Sequence, residues 1–254
     1  MDSSLRRFAQ REAAMADQWS ETVFLPGAWR LADDVGAGES QSKHVYNDEG
    51  LHGIAKPAFM NDAPRAAHEK IASDLAHLAG VPVPPVLLWT DEAGTKFAVS
   101  LWAFAQPLTW GQASHLRAQL SFMKACYPTL AAGHVFHTWI GDTDHNGNEG
   151  NILIDAESTM EKPGLAFIDH AFSMSYAWGS AQPDLSDMGG YVPLCDLPQD
   201  DIANAVKMVQ NVSAEAIERI VKRIPASFLA EDRASLIVDA LRYRQERIKG
   251  FFGI

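Results

Sequence analysis

The chain has 254 residues, of which 47% are hydrophobic and 21% are charged, a composition typical of a globular protein with one large domain or two small lobes. Its formal net charge of −11, without a basic face, argues against a nucleic-acid or anionic-membrane partner. Two cysteines, Cys126 and Cys195, are too few for a disulfide framework and are typical of buried thiols in a reducing cytoplasm.

No targeting or membrane segment is evident in the sequence. The first 19 residues form a polar, helix-like segment that lacks the apolar middle of a signal peptide. No apolar run approaches the ~18 residues that are needed to span a membrane. We therefore expect a soluble, cytoplasmic protein.

The first hundred residues are rich in predicted strands. Short alternating segments bounded by turns predict strands over 28–35, 43–47, 51–57 and 96–102. One helix, over 63–79, is predicted among them because Ala67, Ile71, Leu75 and Leu78 recur at helical spacing before Gly80.

The remainder of the chain is mostly helical. Helical patterns cover 109–125, 127–139, 199–211, 213–224 and 231–250, and two short apolar strands are predicted at 151–154 and 165–169. This order predicts an α+β fold in two lobes: a strand-rich N-lobe over 1–102 with one helix, and a mainly helical C-lobe over 103–254.

The run GDTDHNGNEGNILID (141–155) concentrates carboxylates, amides and glycines, and it permits three interpretations. As an EF-hand loop it fails in both registers. Counted from Asp142, position 12 is Leu153, which cannot bind calcium; counted from Asp144, Glu149 stands where the turn requires glycine.

A metal-dependent phosphohydrolase is the second interpretation. His134 and His137 would share one face of a helix and could join Asp142 around a metal ion. The usual zinc signature, with a glutamate between two histidines, is absent. We therefore favour a simpler arrangement, in which one histidine packs in the core and the other faces the loop.

A phosphotransferase is the third interpretation. Phosphoryl transfer needs a carboxylate base, oxygen ligands for Mg²⁺ and a cation for the ATP phosphates. Asp144 is a candidate base, and a hairpin of the two short strands would bring Asn151 and Asp169 close enough to share a metal. Lys56 ends a predicted strand, and Glu69 follows on the helix at a spacing suited to an ion pair.

Five stretches carry a resemblance to the HipA-like kinases, which are related to the phosphatidylinositol 3- and 4-kinases within the protein-kinase-like fold. They are GIAKP (53–57), AAHEKIASDLAHLAGVPVPPVLLW (66–89), FAVSLWAF (97–104), GDTDHNGNEGNILID (141–155) and AFIDHAFSM (166–174). The resemblance spans about residues 43–175. LAGVPVPPV and IDHAFS are its more specific parts.

The resemblance implies a role for each matching residue. Lys56 would contact the ATP phosphates with Glu69 steadying it, and the loop 35–44, with Gly36, Gly38 and Ser40, would cover those phosphates. The adenine hinge would be Leu101, Trp102 and Ala103. Asp144 would be the catalytic base, and Asn151 and Asp169 would bind Mg²⁺. Ser40 and Ser42 would be candidate sites of self-phosphorylation.

Two positions depart from the family pattern. The catalytic aspartate usually precedes the asparagine by five positions, whereas Asp144 precedes Asn151 by seven. Asp142 is therefore a rival base and Asn148 a rival metal ligand. His170 stands where kinases more often have phenylalanine.

The hypothesis that follows is an ATP- and Mg²⁺-dependent kinase, with a protein serine or threonine acceptor suggested by the resemblance alone. The alternatives are a nucleotide-binding pseudokinase or partner-binding module without turnover, and the phosphohydrolase described above. The sequence leaves the oligomeric state open.

Overall fold

A computed structural model describes residues 19–34, 42–59, 64–142, 144–145, 148–174 and 195–254. It contains eight strands and six helices in these ranges. The strands are β1 Trp29–Asp34, β2 Lys43–Asn47, β3 His52–Pro57, β4 Val86–Thr90, β5 Lys96–Leu101, β6 Pro107–Thr109, β7 Ile152–Asp155 and β8 Leu165–Phe167. The helices are α1 Arg65–Leu78, α2 Ser114–Arg117, α3 Leu120–Ile140, α4 Gln199–Gln210, α5 Ala214–Lys222 and α6 Glu231–Phe251.

The first five strands form an antiparallel sheet in the order β1-β2-β3-β5-β4. Helix α1 packs on one face of this sheet, where Ile71 and Leu75 join Leu88 and Ala98 in the main hydrophobic core. Neighbouring strand residues point to the opposite face, where Leu87 belongs to a second cluster. The sheet is thus covered on both faces.

The second part of the chain is helical around a small three-stranded sheet in the order β6-β7-β8. The register of β7 and β8 pairs Ile152 with Phe167, so the chain entering β7 and the chain leaving β8 lie at the same edge. This confirms the predicted α+β fold, in which a strand-rich part with one helix precedes a helical part. The lobe boundary at 102/103 stays a prediction.

Residues 127–139 are helical as predicted, but the predicted start of the preceding helix at 109 and the predicted break between the two helices are wrong. The structure has the short strand β6 and the one-turn α2 first, and a single helix, α3, then continues through Pro128. Proline removes one backbone hydrogen bond from a helix and usually ends or bends it. Here Phe122, Cys126 and Leu130 are buried at four-residue spacing on both sides of the proline, and this continuous apolar face stabilises one helix across it.

Helix α1 is also attached to the helical part of the chain. Asp74 accepts hydrogen bonds from Lys70 Nζ at 2.7 Å and from Arg223 NH2, just beyond α5, at 2.6 Å. Lys70 and Asp74 are 1% and 2% exposed. Cations on both sides compensate the cost of burying the Asp74 carboxylate, and this contact fixes α1 relative to the C-terminal helices.

None of the helices among the described residues has the length and apolar character required to cross a membrane. The N-terminal segment 1–18, for which a polar helix is predicted, lies outside the described residues.

Candidate active site

Lys56 lies at the centre of a charged cluster between the two parts of the fold. It is held on β3 opposite Ala98 of β5, and its Nζ is 2.9 Å from Glu69 Oε1 and 2.7 Å from Asp169 Oδ1. Glu69 Oε2 also accepts a hydrogen bond from the backbone N–H of His170 at 3.1 Å. The predicted Lys56–Glu69 pair is thus present, and the same glutamate contacts the loop that carries Asp169.

Burial and charge oppose each other at these three groups. Burial by itself would lower the pKa of Lys56, but the carboxylates of Glu69 and Asp169 outweigh it and raise that pKa above its ordinary value. Burial raises the pKa of Glu69 although Lys56 opposes the shift. Burial also acts to raise the pKa of Asp169, yet the Lys56 ammonium lowers it overall. Lys56 is therefore held as a charged ammonium between the two carboxylates.

Asp144 and Asn151 meet in the loop before β7. Asn151 Nδ2 donates to Asp144 Oδ2 at 3.0 Å. Asn151 is positioned by a 3₁₀ turn over Glu149–Asn151, in which its N–H donates to the Asn148 carbonyl at 3.1 Å. This turn draws the end of the loop back towards Asp144 and brings the two side chains together despite their longer spacing.

The rival residues have other partners. Asp142 is 1% exposed, and its Oδ1 accepts the backbone N–H of Asp144 at 3.0 Å and lies 3.2 Å from His145 Nδ1. Asn148 is exposed, and its side chain caps the 3₁₀ turn by accepting the N–H of Gly150 at 3.1 Å. Their geometry is that of residues that shape the loop.

Asn151 and Asp169 are neighbours at one edge of the small sheet. The Ile168 N–H donates to the Asn151 carbonyl at 2.9 Å, which extends the β7–β8 pairing by one step. Asp169 follows with φ of +65°, a left-handed backbone that non-glycine residues seldom adopt. In this backbone conformation, the Asp169 carboxylate contacts Lys56.

Two cavities meet at Lys56 and Asp169. The first, of about 330 Å³, is mostly apolar. Its wall includes the predicted hinge, Leu101, Trp102 and Ala103, together with Pro84 and Leu153 from either side. A planar apolar group fits such a cavity.

The second cavity, of about 320 Å³, has more polar walls. Asp144 lines it, together with Arg65 at the start of α1 and Phe172. Arg65 Cζ lies 4.4 Å from the centre of the Phe172 ring, and this cation–π contact ties α1 to the loop after Asp169.

Several of the residues predicted from the sequence are not seen in this site. Gly36, Gly38 and Ser40 of the predicted phosphate loop are outside the described residues. His134 and His137, which the phosphohydrolase interpretation placed together, have different neighbours. His134 packs edge-on against Phe252, whereas His137 contacts His145 and His170.

Sequence reasoning missed Arg65, Phe172 and the association of three histidines. An arginine at the start of a helix is ordinarily solvated, so its position gave no signal. The histidines are far apart along the chain, although His145 and His170 each directly follow a predicted site residue, Asp144 and Asp169. That adjacency was the available signal.

The site has the donor set for a hard cation. Mg²⁺ prefers oxygen ligands, and Asp169 offers its carboxylate. Because Asn151 Nδ2 is used by Asp144, its Oδ1 is left to accept or coordinate. Asn151 and Asp169 therefore fit a magnesium ion.

No protein-family model and no curated protein matches the sequence. Among solved structures, the chain is similar to the Helicobacter pylori proinflammatory kinase CtkA, with a TM-score of 0.65 at 14% identity over 88% of this chain and 94% of that one. It is also similar to HipA of the Shewanella oneidensis MR-1 toxin–antitoxin system, solved with HipB and its operator DNA. That match has a TM-score of 0.55 at 12% identity over 95% of this chain and 79% of the other. As the resemblance in the sequence predicts, the chain has the kinase fold that CtkA and HipA share.

Proposed function

We propose that this protein is an ATP- and Mg²⁺-dependent kinase that phosphorylates serine or threonine in a protein acceptor. One observation carries the proposal. Lys56 and Asp169 join an apolar cavity beside the hinge to a polar cavity lined by Asp144. A phosphotransferase needs this order: a pocket for the adenine ring, a cation for the phosphates and a carboxylate for the acceptor hydroxyl.

In this proposal, adenine occupies the apolar cavity against Leu101–Ala103 and the phosphates extend past Lys56. Lys56 donates to phosphate oxygens, and the buried Glu69 carboxylate keeps the ammonium in position. Asn151 and Asp169 would hold Mg²⁺, which when bound neutralises charge on the phosphates. The loop with Gly36, Gly38 and Ser40 covers the phosphates in the same proposal.

Asp144 is the proposed base. It lines the polar cavity, and the hydrogen bond from Asn151 fixes its side chain, leaving a carboxylate oxygen to accept the proton of the acceptor hydroxyl. Asp142 is buried, and its Oδ1 faces the Asp144 backbone and His145. We therefore assign the base to Asp144 and a shaping role to Asp142.

The protein acceptor is proposed from the resemblance to HipA-like kinases. The polar cavity is consistent with it, since it is open to solvent beside Asp144 and carries the cation of Arg65 on its wall. The same wall would also receive a serine of this chain, such as Ser40 or Ser42, in self-phosphorylation.

The test is transfer of the γ-phosphate of labelled ATP by the purified full chain, with Mg²⁺, to itself and to a mixture of denatured proteins. Asp144→Asn serves as the matched inactive variant, and calorimetry measures ATP binding separately. We expect labelled phosphoserine or phosphothreonine with the wild type only. ATP binding without transfer by either protein would indicate a pseudokinase, and no ATP binding at all would exclude a kinase. Phosphate-ester hydrolysis without ATP would indicate the phosphohydrolase.

A further inference from the structure

Three histidines meet beneath the proposed catalytic residues. His137 lies in the last turns of α3, His145 in the loop before β7 and His170 in the loop after β8. One ring nitrogen of each lies within 4.8 Å of one ring nitrogen of each of the others. His137 Nε2 and His170 Nε2 are only 3.1 Å apart, and the His137 and His145 rings stack with centroids 3.9 Å apart.

All three side chains are buried, with exposed fractions of 0%, 1% and 0% for His137, His145 and His170. Buried imidazole nitrogens that lie this close together can converge on one metal ion.

The spacing suits a tetrahedral ion. With Zn–N bonds of about 2.0–2.1 Å, tetrahedral ligand nitrogens lie roughly 3.3 Å apart. The His137–His170 separation of 3.1 Å is already close to that value. The widest pair, at up to 4.8 Å, needs to close by roughly 1.5 Å, and the His145 ring, which stacks on His137, must turn so that its nitrogen faces the ion.

The carboxylate of Asp142 lies next to the three histidines. Asp142 Oδ1 lies 3.2 Å from His145 Nδ1, the arrangement in which a carboxylate orients a metal-binding histidine. Asp142 Oδ2 is buried and has no hydrogen-bond partner in the part of the chain that the structure describes. A divalent cation held by the neighbouring rings would balance the charge of this carboxylate.

We propose that His137, His145 and His170 bind a zinc ion, with Asp142 orienting His145. This site is distinct from the proposed magnesium site, because imidazole ligands favour zinc, whereas Mg²⁺ takes the oxygens of Asn151 and Asp169. It also differs from the phosphohydrolase considered above, since His134 is not among its ligands and the three ligand side chains are buried.

The ion would hold the two functional loops in place. His145 directly follows Asp144 and His170 directly follows Asp169, while His137 belongs to the rigid helix α3. A bond from each to one ion would fix both functional loops to that helix. The ion would thus hold the backbones beside the proposed base and the proposed magnesium ligand, without touching substrate.

The test uses the purified full chain, stripped of metal and titrated with Zn²⁺ or with Co²⁺, whose visible absorption reports tetrahedral coordination. We expect one ion per chain, imidazole ligands in the zinc-edge X-ray absorption spectrum, and a higher thermal midpoint with Zn²⁺ but not with equal Mg²⁺. His145→Gln and His170→Gln should weaken zinc binding by about 100-fold or more. His134→Gln, a buried histidine of the same helix outside the trio, should bind as the wild type does.

The wild-type titration decides the matter even if a variant fails to fold. A stripped wild type that binds neither ion, or a bound ion without imidazole ligands, would overturn the proposal, as would tight binding by both folded variants. None of these readouts uses ATP. A protein that binds zinc and transfers no phosphate contradicts the proposed function alone, and a zinc-free active kinase contradicts this inference alone.

Discussion

Asn151 donates a 3.0 Å hydrogen bond to Asp144, a residue seven positions earlier in the chain. The spacing in the sequence left Asp142 as a rival base, since the kinases that the sequence resembles separate these two residues by five positions. The 3₁₀ turn at Glu149–Asn151 brings the ends of the longer loop together. Distance along the chain was therefore a poor guide to distance in space at this loop.

This contact predicts different outcomes for two conservative variants. Asp144→Asn should reduce phosphoryl transfer by about 10²–10⁴-fold while ATP binding and thermal stability stay near wild type, because the side chain is only half-buried and lines an open cavity. Asp142→Asn should lower stability, because it replaces a buried carboxylate that contacts His145. Transfer rate, calorimetric ATP affinity and thermal midpoint separate the two. Loss of transfer in Asp142→Asn with an unchanged midpoint, and full activity in Asp144→Asn, would reverse the assignment.

The buried charge cluster on α1 predicts a non-additive mutant cycle. Asp74→Leu leaves Lys70 and Arg223 close together without their carboxylate and should lower the free energy of unfolding by about 3–5 kcal/mol. Lys70→Met retains the Asp74–Arg223 pair and should lower it less. The double variant, Lys70→Met with Asp74→Leu, should be more stable than Asp74→Leu alone. Urea denaturation of the four proteins measures the coupling, and simple additivity would contradict the buried network.

Two helical glycines predict opposite effects of the same substitution. A Cβ at Gly133 in α3 would lie 2.2 Å from Cζ of Phe167, whereas at Gly250 in α6 nothing lies within 4 Å. Gly133→Ala should therefore lower the free energy of unfolding by about 1–3 kcal/mol, since overpacking exceeds the gain in helix propensity. Gly250→Ala should raise it by up to about 1 kcal/mol. Denaturation curves compare them, and equal effects would show that the Phe167 ring moves freely.

Two buried histidines predict a loss of stability in mild acid. Burial lowers the pKa of His68 to about 4 and the pKa of His134 to about 4. As the pH falls below 6.5, the unfolded chain takes up protons that the folded chain excludes until about pH 4. Stability is therefore complete above pH 6.5 and falls between these limits, by up to about 1.4 kcal/mol per pH unit for each group.

His134→Gln removes one of these groups and serves as the control. Its free energy of unfolding, measured in urea between pH 7.5 and pH 5, should depend on pH less steeply than that of the wild type, by up to about 1.4 kcal/mol per pH unit below pH 6.5. An identical pH dependence in the two proteins would mean that His134 takes up its proton at the same pH in the folded and the unfolded chain.

The sequence predicted the architecture well because hydrophobic periodicity carries it. The strands around Lys56 and the helix with Glu69 follow period-2 and period-3.6 patterns that local physics determines. The same reasoning failed at Pro128, where burial of a continuous face outweighed a local signal for a helix end.

The site was harder to predict from the sequence because its contacts join segments that are far apart along the chain. Lys56 with Glu69 was predictable from a strand followed by a helix, but the contact of Lys56 with Asp169 depends on how the two parts of the fold pack. The histidine trio depends on three elements at once, and the sequence signals it only through the adjacency of His145 and His170 to Asp144 and Asp169.

The bond from Arg223 to Asp74 spans 149 residues, and this has a consequence for synthesis. While the chain emerges from a ribosome, the N-terminal sheet and α1 are complete long before residue 223 appears. Until then Asp74 has Lys70 but not its second cation, and the surface of α1 that faces α5 is exposed. The nascent N-terminal part is therefore left with incomplete packing, and a chaperone that covers this face of α1 would act in the interval before α5 is made.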